Sequence, residues 1–491
     1  MNLYKGFKGL HGSYSYIQGA SRRKFLDDEL LENQLDHHGI NLFYDFSREQ
    51  KNKRKNVLSA SFIQSTQEYK DYRDNETLSN FNQVVLFRYK GDISILRKLD
   101  LLASHYWWDE SQVLLSNFGT IDRFFQDRSF HLSGEKRINF KLTEFLVKYE
   151  FEKGVLDFTD ERILTGEQSV GLEGATLSRK RYGLVTIIKL HDPSSSETIR
   201  VTDFDISFRY DKVIDNQQNE ILRNTNQDSL FGLFDEHVWD ETTFKISTHF
   251  SGSFGRMMFN SYMNYGTNIK FPTLFQQISS PETIWSDLTR PNLNPEKNTG
   301  LEIGFELTGN TSELGAIEGY QISTSLFRNF YENKLRVSFP VGIPVAFYDN
   351  VVSAELSGFE MNTKFFLFRK KVTLEFAFSL YSVSDKAAFP FKSEKKVTSN
   401  FMIDHAGYSF KLHWFNEGEQ VGWIRQETGE FTEVILPDYS NLDLHFSKSF
   451  EWKRAKLFLN ASGRNLLNKD VILQGLAIRD RRYYLTLGVQ L

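Results

Sequence analysis

The chain has 491 residues, a formal net charge of −4 and no cysteine. So small a charge does not point to a nucleic-acid partner, and the absence of thiols excludes disulfides, thiolate metal sites and cysteine nucleophiles. Apolar residues make up 40% of the chain, yet 15% are aromatic and only nine are proline, a balance that suits many half-buried strands.

Period-two alternation predicts strands near residues 7–18, 37–47, 54–66, 79–91, 97–108, 127–137, 141–152, 179–191, 199–211 and 241–251. It predicts more near 254–267, 298–309, 318–339, 350–366, 371–384, 396–405, 408–426, 438–449, 455–466 and 481–491. That is about 20 strands, mostly of around 11–13 residues. In "TFKISTHFS", Phe244, Ile246 and Phe250 oppose Lys245, Ser247, His249 and Ser251. In "VTLEFAFSLY", Val372, Leu374, Phe376, Phe378 and Leu380 share one face. In the closing "RRYYLTLGVQL", Tyr483, Leu485, Leu487, Val489 and Leu491 do the same. No long amphipathic helix is predicted. No apolar run reaches the roughly 18 residues of a membrane helix. The opening "MNLYKGFKGLHGSYSYIQGA" lacks the apolar core of a signal peptide.

The connections take turns in length. Short ones are "REQKNK", "DISIL", "DPSSSE", "RKK" and "EWKR"; long ones fall at 19–36, 109–126, 153–178, 212–240, 268–297 and 466–480. A meander whose hairpins are trimmed at one end and elaborated at the other has this pattern. Outer-membrane barrels are built so, and about 9–11 tilted residues cross the hydrocarbon. The fold class expected is all-β: a large antiparallel up-and-down transmembrane β-barrel with short periplasmic turns and long extracellular loops. A propeller would show a repeat of about 40–50 residues, and none is seen.

The stretches "NYGTNIKFPTLFQQ" and "RPNLNPEKNTGLEIGFEL" resemble TonB-dependent receptors. The resemblance rests on Phe271, Pro272 and Thr273, then on Pro291, Asn292, Leu293, Pro295 and Glu296, then on Glu302 and Gly304. The prolines stiffen the two ends of a long loop, and Glu296 is placed to cap or pair there. "DISFRYD" (205–211) follows the family's order. So do the hairpin of Tyr348, Asn350, Ala354, Gly358 and Glu360 and the strand end of Asn465, Leu466, Asn468 and Lys469. The motifs cover about 199–491. The family usually ends in an aromatic residue; this chain ends in Leu491.

The resemblance implies one barrel domain over 1–491, of about 20–22 strands where the family has about 22. The family's N-terminal plug, TonB box and signal peptide are not matched, and the parity of the strands suits a chain lacking the first hairpin as well. The expected location is the outer membrane of a Gram-negative-type bacterium. Expected partners are outer-membrane lipid, the barrel-assembly machinery, TonB through a plug, and a large scarce nutrient such as a siderophore, cobalamin or glycan. A plugless passive pore, a structural barrel and a non-functional truncated fragment are the alternatives.

Candidate ligand-loop aromatics are Phe231, Phe234, Trp239, Phe271, Phe275 and Trp285. Such rings stack on a planar chelate or a sugar; loop packing and an interfacial girdle use them equally well. His37 and His38 in "DHHG" sit at a strand start, where neighbours point to opposite faces and share one ion poorly. "GLEGATLSRK" lacks P-loop spacing and reads as loop. No G-x-S-x-G, H-E-x-x-H or paired-carboxylate frame is present. The reading is therefore of a non-enzyme, with no cofactor and no metal site.

Overall fold

The computed structural model describes residues 2–490 except 8, 26–28, 47–55, 73–74, 94–95, 117–118, 165–168, 192–198, 219–220, 224–228, 232–235, 279–292, 312–315, 339–346, 426–430, 453–454, 470, 474–475 and 479–480. They form a 23-stranded sheet. Apart from the small hairpin Ile221–Arg223/Ser229–Phe231, its strands follow chain order, each antiparallel to the next. Every predicted strand position carries a strand, except that 408–426 divides into Tyr408–Glu417 in the large sheet and Gln420–Arg425 in a separate hairpin with Phe431–Leu436.

Alternation explains the two faces. On Glu296–Asn310, Leu301, Ile303 and Phe305 are exposed. Glu302, Gly304 and Glu306 share the other face, where Tyr262 donates to Glu302 at 2.8 Å. The register carries this across strands: Ile303 opposes Met263 and Leu326, while Glu302 opposes Asn264 and Phe327. An exposed apolar face over a polar one is the lipid-and-lumen division of a large barrel.

Glycine lets the inner face hold large rings. Gly358 opposes Phe327 on one side and Tyr381 on the other. A Cβ there would lie 2.7 Å from each ring. Gly358→Val is expected to weaken the sheet by about 1–3 kcal/mol through overpacking. A lowered urea midpoint in detergent would show it; an unchanged midpoint would refute it.

Three of the predicted long connections are instead strand. Residues 19–36, 109–126 and 153–178 lie largely in the hairpins Leu10–Phe25/Glu29–Asp45, Leu96–Ser116/Gly119–Asn139 and Thr143–Leu164/Ser169–His191. Strands of 22 and 23 residues outrun the membrane. Beyond it, lipid no longer requires the outer face to be apolar, so the alternation that marks a strand weakens while pairing continues. Arg22 pairs with Glu32 at 3.0 Å, and Arg128 with Asp157 at 2.5 Å. "GLEGATLSRK" is part of such a strand, not a loop.

In a closed barrel the last strand, Arg482–Gln490, would pair with the first. Among the described residues it pairs only with Ala455–Arg464, and Asn2–Phe7 only with Leu10–Phe25. The meander makes the two edge strands run in the same direction, so an antiparallel closure between them is not available. Tyr483, Leu485, Leu487 and Val489 lie exposed on the outer face, as their alternation predicts.

Candidate functional site

On the strand Gly119–Asn139 the outward residues Phe130 and Leu132 are followed by Arg128 and Gln126 toward the end that carries the long hairpins. At that end the inner face of the wall is apolar. Phe125, Leu156, Phe158, Ala175 and Leu177 form one buried cluster, and Trp108 meets Phe125 edge-on at 4.6 Å. They sit on four neighbouring strands in mutual register.

The cluster is covered by the connection that follows Met257–Lys270. Its helix, Leu274–Ile278, has a reciprocal cap. Gln276 N donates to Thr273 Oγ1 at 3.1 Å, and Thr273 N donates to Gln276 Oε1 at 2.9 Å. This is the Thr-x-x-Gln capping box, with Pro272 stiffening the approach. The helix presents Leu274 and Phe275 to the wall, with Phe275 5.5 Å from Phe125 and 6.0 Å from Phe158.

An ionic clamp holds the same segment. Arg179 forks onto Asp215 at 2.7 and 2.6 Å, and its Nη2 also donates to the Pro272 carbonyl at 2.5 Å. Gln277 donates to Asp215 at 2.7 Å, and His237 Nδ1 lies 3.2 Å from the Gln277 oxygen. Asp215 is fully buried. A buried carboxylate persists when an arginine fork and further donors satisfy it, as here. Next to it, Asp211 accepts from Arg181 at 3.1 Å and from Arg209 at 2.5 Å. The Arg181 guanidinium lies 5.9 Å from the Phe271 ring.

The far end of the connection is tied to another wall. Asn294 N donates to Asn350 Oδ1 at 2.8 Å, and Asn350 Nδ2 returns to the Asn294 carbonyl at 3.1 Å. Glu296 accepts from Lys334 at 3.0 Å and from the Leu335 N–H at 2.9 Å. The described parts of this connection, 271–278 and 293–295, are thus each fixed to the inner face, as the two ends of a strap. The strands on either side of the connection also line a cavity of about 640 Å³, whose lining includes Lys189, Asp205, Lys245, Asn268, Glu302 and Glu360.

Among the candidate aromatics, the structure brings Trp239, Phe271 and Phe275 to this site. Trp239 and Phe271 are 6.1 Å apart, and all three rings pack against the wall or one another. Phe234 and Trp285, like Pro291 and Asn292, lie outside the described residues, as does the side chain of Phe231. Pro272 and Pro295 are buried at the two ends of the strap.

Glu360 accepts from Tyr381 at 2.6 Å across the strand pair that Gly358 serves. Nearby, burial pushes down the pKa of Lys392 in the connection 384–394, and its ammonium lies 3.5 Å from the Tyr381 ring centroid. Asn465 and Asn468 both have positive φ, and Asn468 N donates to the Asn465 carbonyl at 3.0 Å. Asparagine tolerates that backbone region, and Leu466 N reaches back to the Leu442 carbonyl at 2.9 Å. His37 and His38 lie within the strand Glu29–Asp45 rather than at its start. His38 accompanies Tyr16 at 4.8 Å and Tyr14 at 3.0 Å, and no metal-binding group of three is present among the described residues.

The sequence reading missed the wall residues Phe125, Leu156, Phe158 and Leu177 and the clamp of Arg179 and Asp215. It also missed the helix, although Thr273 and Gln276 stood at capping-box spacing.

Residues 8–466 match the family model described as "TonB dependent receptor-like, beta-barrel". No curated protein matches the chain in sequence. Among solved structures, the chain is similar to the copper transporter OprC, with a TM-score of 0.70 and 10% identity over 99% of this chain and 79% of that one. It is also similar to the ferric citrate transporter FecA in its unliganded form, with a TM-score of 0.67 and 11% identity over 99% and 74%. The siderophore receptor PiuA from Acinetobacter baumannii gives 0.63 and 11% over 99% and 77%.

Proposed function

The chain belongs to the TonB-dependent receptor-like β-barrel family, and on that premise we propose that it takes up a metal chelate through the lumen that its inner face lines. The family's barrels are outer-membrane proteins of Gram-negative bacteria that bind ligand and work with TonB. Family and fold are those of a receptor and transporter, not of an enzyme. The observation that carries the finer reading is the strap itself. Its described ends are fixed to two separate walls, and the adjoining inner face lines a cavity that carries both charges and amides. Such a mouth suits a compact, charged, hydrogen-bonding cargo. The neighbours named for copper, ferric citrate and a siderophore support a metal-bearing cargo.

Trp239 and Trp108 stand at the strap and its wall, which makes tryptophan emission a reporter. Titration of the purified chain in detergent with ferric citrate, a ferric catecholate and a cupric chelate is expected to give saturable quenching with at least one of them. A neutral oligosaccharide is expected to give none. Saturation by the sugar alone, or by nothing, would sink the metal-chelate reading.

A further inference from the structure

At the short-turn end of the sheet, the outward face carries a basic and aromatic group that the transport reading does not use. Tyr408 opens the strand Tyr408–Glu417, and Lys448 and Phe450 lie near the end of its partner, Tyr439–Trp452. The Lys448 ammonium sits 3.3 Å from the Tyr408 ring centroid and 5.2 Å from that of Phe450, and donates to the Ala406 carbonyl at 2.9 Å. Among the described residues it has no carboxylate partner. Asp404 and Glu451, the nearest acids in sequence, occupy positions of opposite parity and so face the lumen side.

The adjoining turn adds charge. Phe368, Arg369, Lys370 and Lys371 are exposed between the paired residues Leu367 and Val372. This turn is joined to the next by Asp404 N, which donates to the Lys371 carbonyl at 2.7 Å. Glu318 is engaged by the Arg369 backbone N–H. Phe368, Arg369 and Lys370 have φ of 51°, 59° and 58°. That left-handed region suits glycine and asparagine far better than long side chains. A turn whose backbone favours Asn-Gly thus carries Arg-Lys, and the rings of Phe368, Tyr408 and Phe450 are all at least half exposed beside it.

We propose that this rim is a binding site for an anionic phospholipid headgroup in the periplasmic leaflet. Exposed rings continue the lipid-facing band, with Tyr408 6.2 Å from Phe446. They place the site where acyl chains end and phosphates begin. Lys448 supplies a partly desolvated ammonium at that depth. Arg369, Lys370 and Lys371 supply a field attractive to anionic lipid. The site is independent of which nutrient the lumen takes.

The test is native mass spectrometry of the full chain, extracted into a neutral detergent from vesicles of equal phosphatidylglycerol and phosphatidylcholine. Wild type is expected to retain phosphatidylglycerol preferentially. Lys448→Ala should lower that preference about fivefold, and the pair Arg369→Asn, Lys370→Gly should lower it further, at about fivefold per charge. The paired variant suits the turn better than the native residues, so its loss of lipid cannot be attributed to misfolding. Millimolar inorganic phosphate should not displace the lipid. Equal retention of both lipids by wild type, unchanged preference in both variants, or displacement by phosphate would each overturn the proposal.

Discussion

Arg179→Ala is expected to free the strap from the wall while leaving the sheet standing. The guanidinium serves Asp215 and the Pro272 carbonyl at once, so its removal leaves a fully buried carboxylate with Gln277 as its remaining strap partner. Breaking one side of a buried pair costs about 3–5 kcal/mol, chiefly from the charge left uncompensated. The cost need not fall on global unfolding. The ladders of Met257–Lys270 and Glu296–Asn310 hold without the strap, so local release is the cheaper response. Hydrogen exchange over 271–278 should therefore quicken by roughly 10²–10⁴-fold, with the strands on either side unaffected. Two companions sharpen the test. Arg179→Lys keeps the charge but loses the fork, and should fall between. Arg179→Ala with Asp215→Ala removes both charges and should recover part of the protection. Unchanged exchange in Arg179→Ala would show that the clamp does not hold the strap.

The strands of this protein are legible in its sequence where lipid lies on one side and water on the other. "VTLEFAFSLY" can be read without a structure because each second residue must be apolar, and its strand was placed within a residue at each end. The same rule hides the projecting hairpins. Outside the bilayer neither face of Ser169–His191 is required to be apolar, so its first half resembles a loop. Pro272, Pro295 and Glu296 could be singled out because stiffness and capping are local properties, and the structure places all three at the ends of the connection. What the strap binds was not legible. Arg179 meets Pro272 across 93 residues of chain and Gln277 meets Asp215 across 62, distances no sequence periodicity reports. The candidate aromatics were found as a composition signal. Their geometry turns Trp239, Phe271 and Phe275 toward wall packing at the mouth.

Phe275→Ala attacks the strap's other attachment. The half-buried ring packs against Phe125 and Phe158 of the wall cluster, so truncation uncovers that cluster. A fully buried Phe→Ala costs about 3–5 kcal/mol, and for a half-buried ring the expected loss is about 2 kcal/mol. The exposed wall would be an apolar patch facing a wet lumen. Emission from Trp108, 4.6 Å from Phe125, should move to the red, and exchange over 271–278 should quicken as for Arg179→Ala. Phe275→Leu, which keeps most of the volume, should lose much less. Because Phe275 and the Arg179 contacts hold the same short segment, the two attachments are coupled. Once one is broken and the segment lifts, the other is already lost. The double variant Arg179→Ala, Phe275→Ala should therefore fall short of the sum of the single effects by more than about 0.5 kcal/mol. Strict additivity would mean that the helix and the ionic clamp are held separately, and that the strap is not one element.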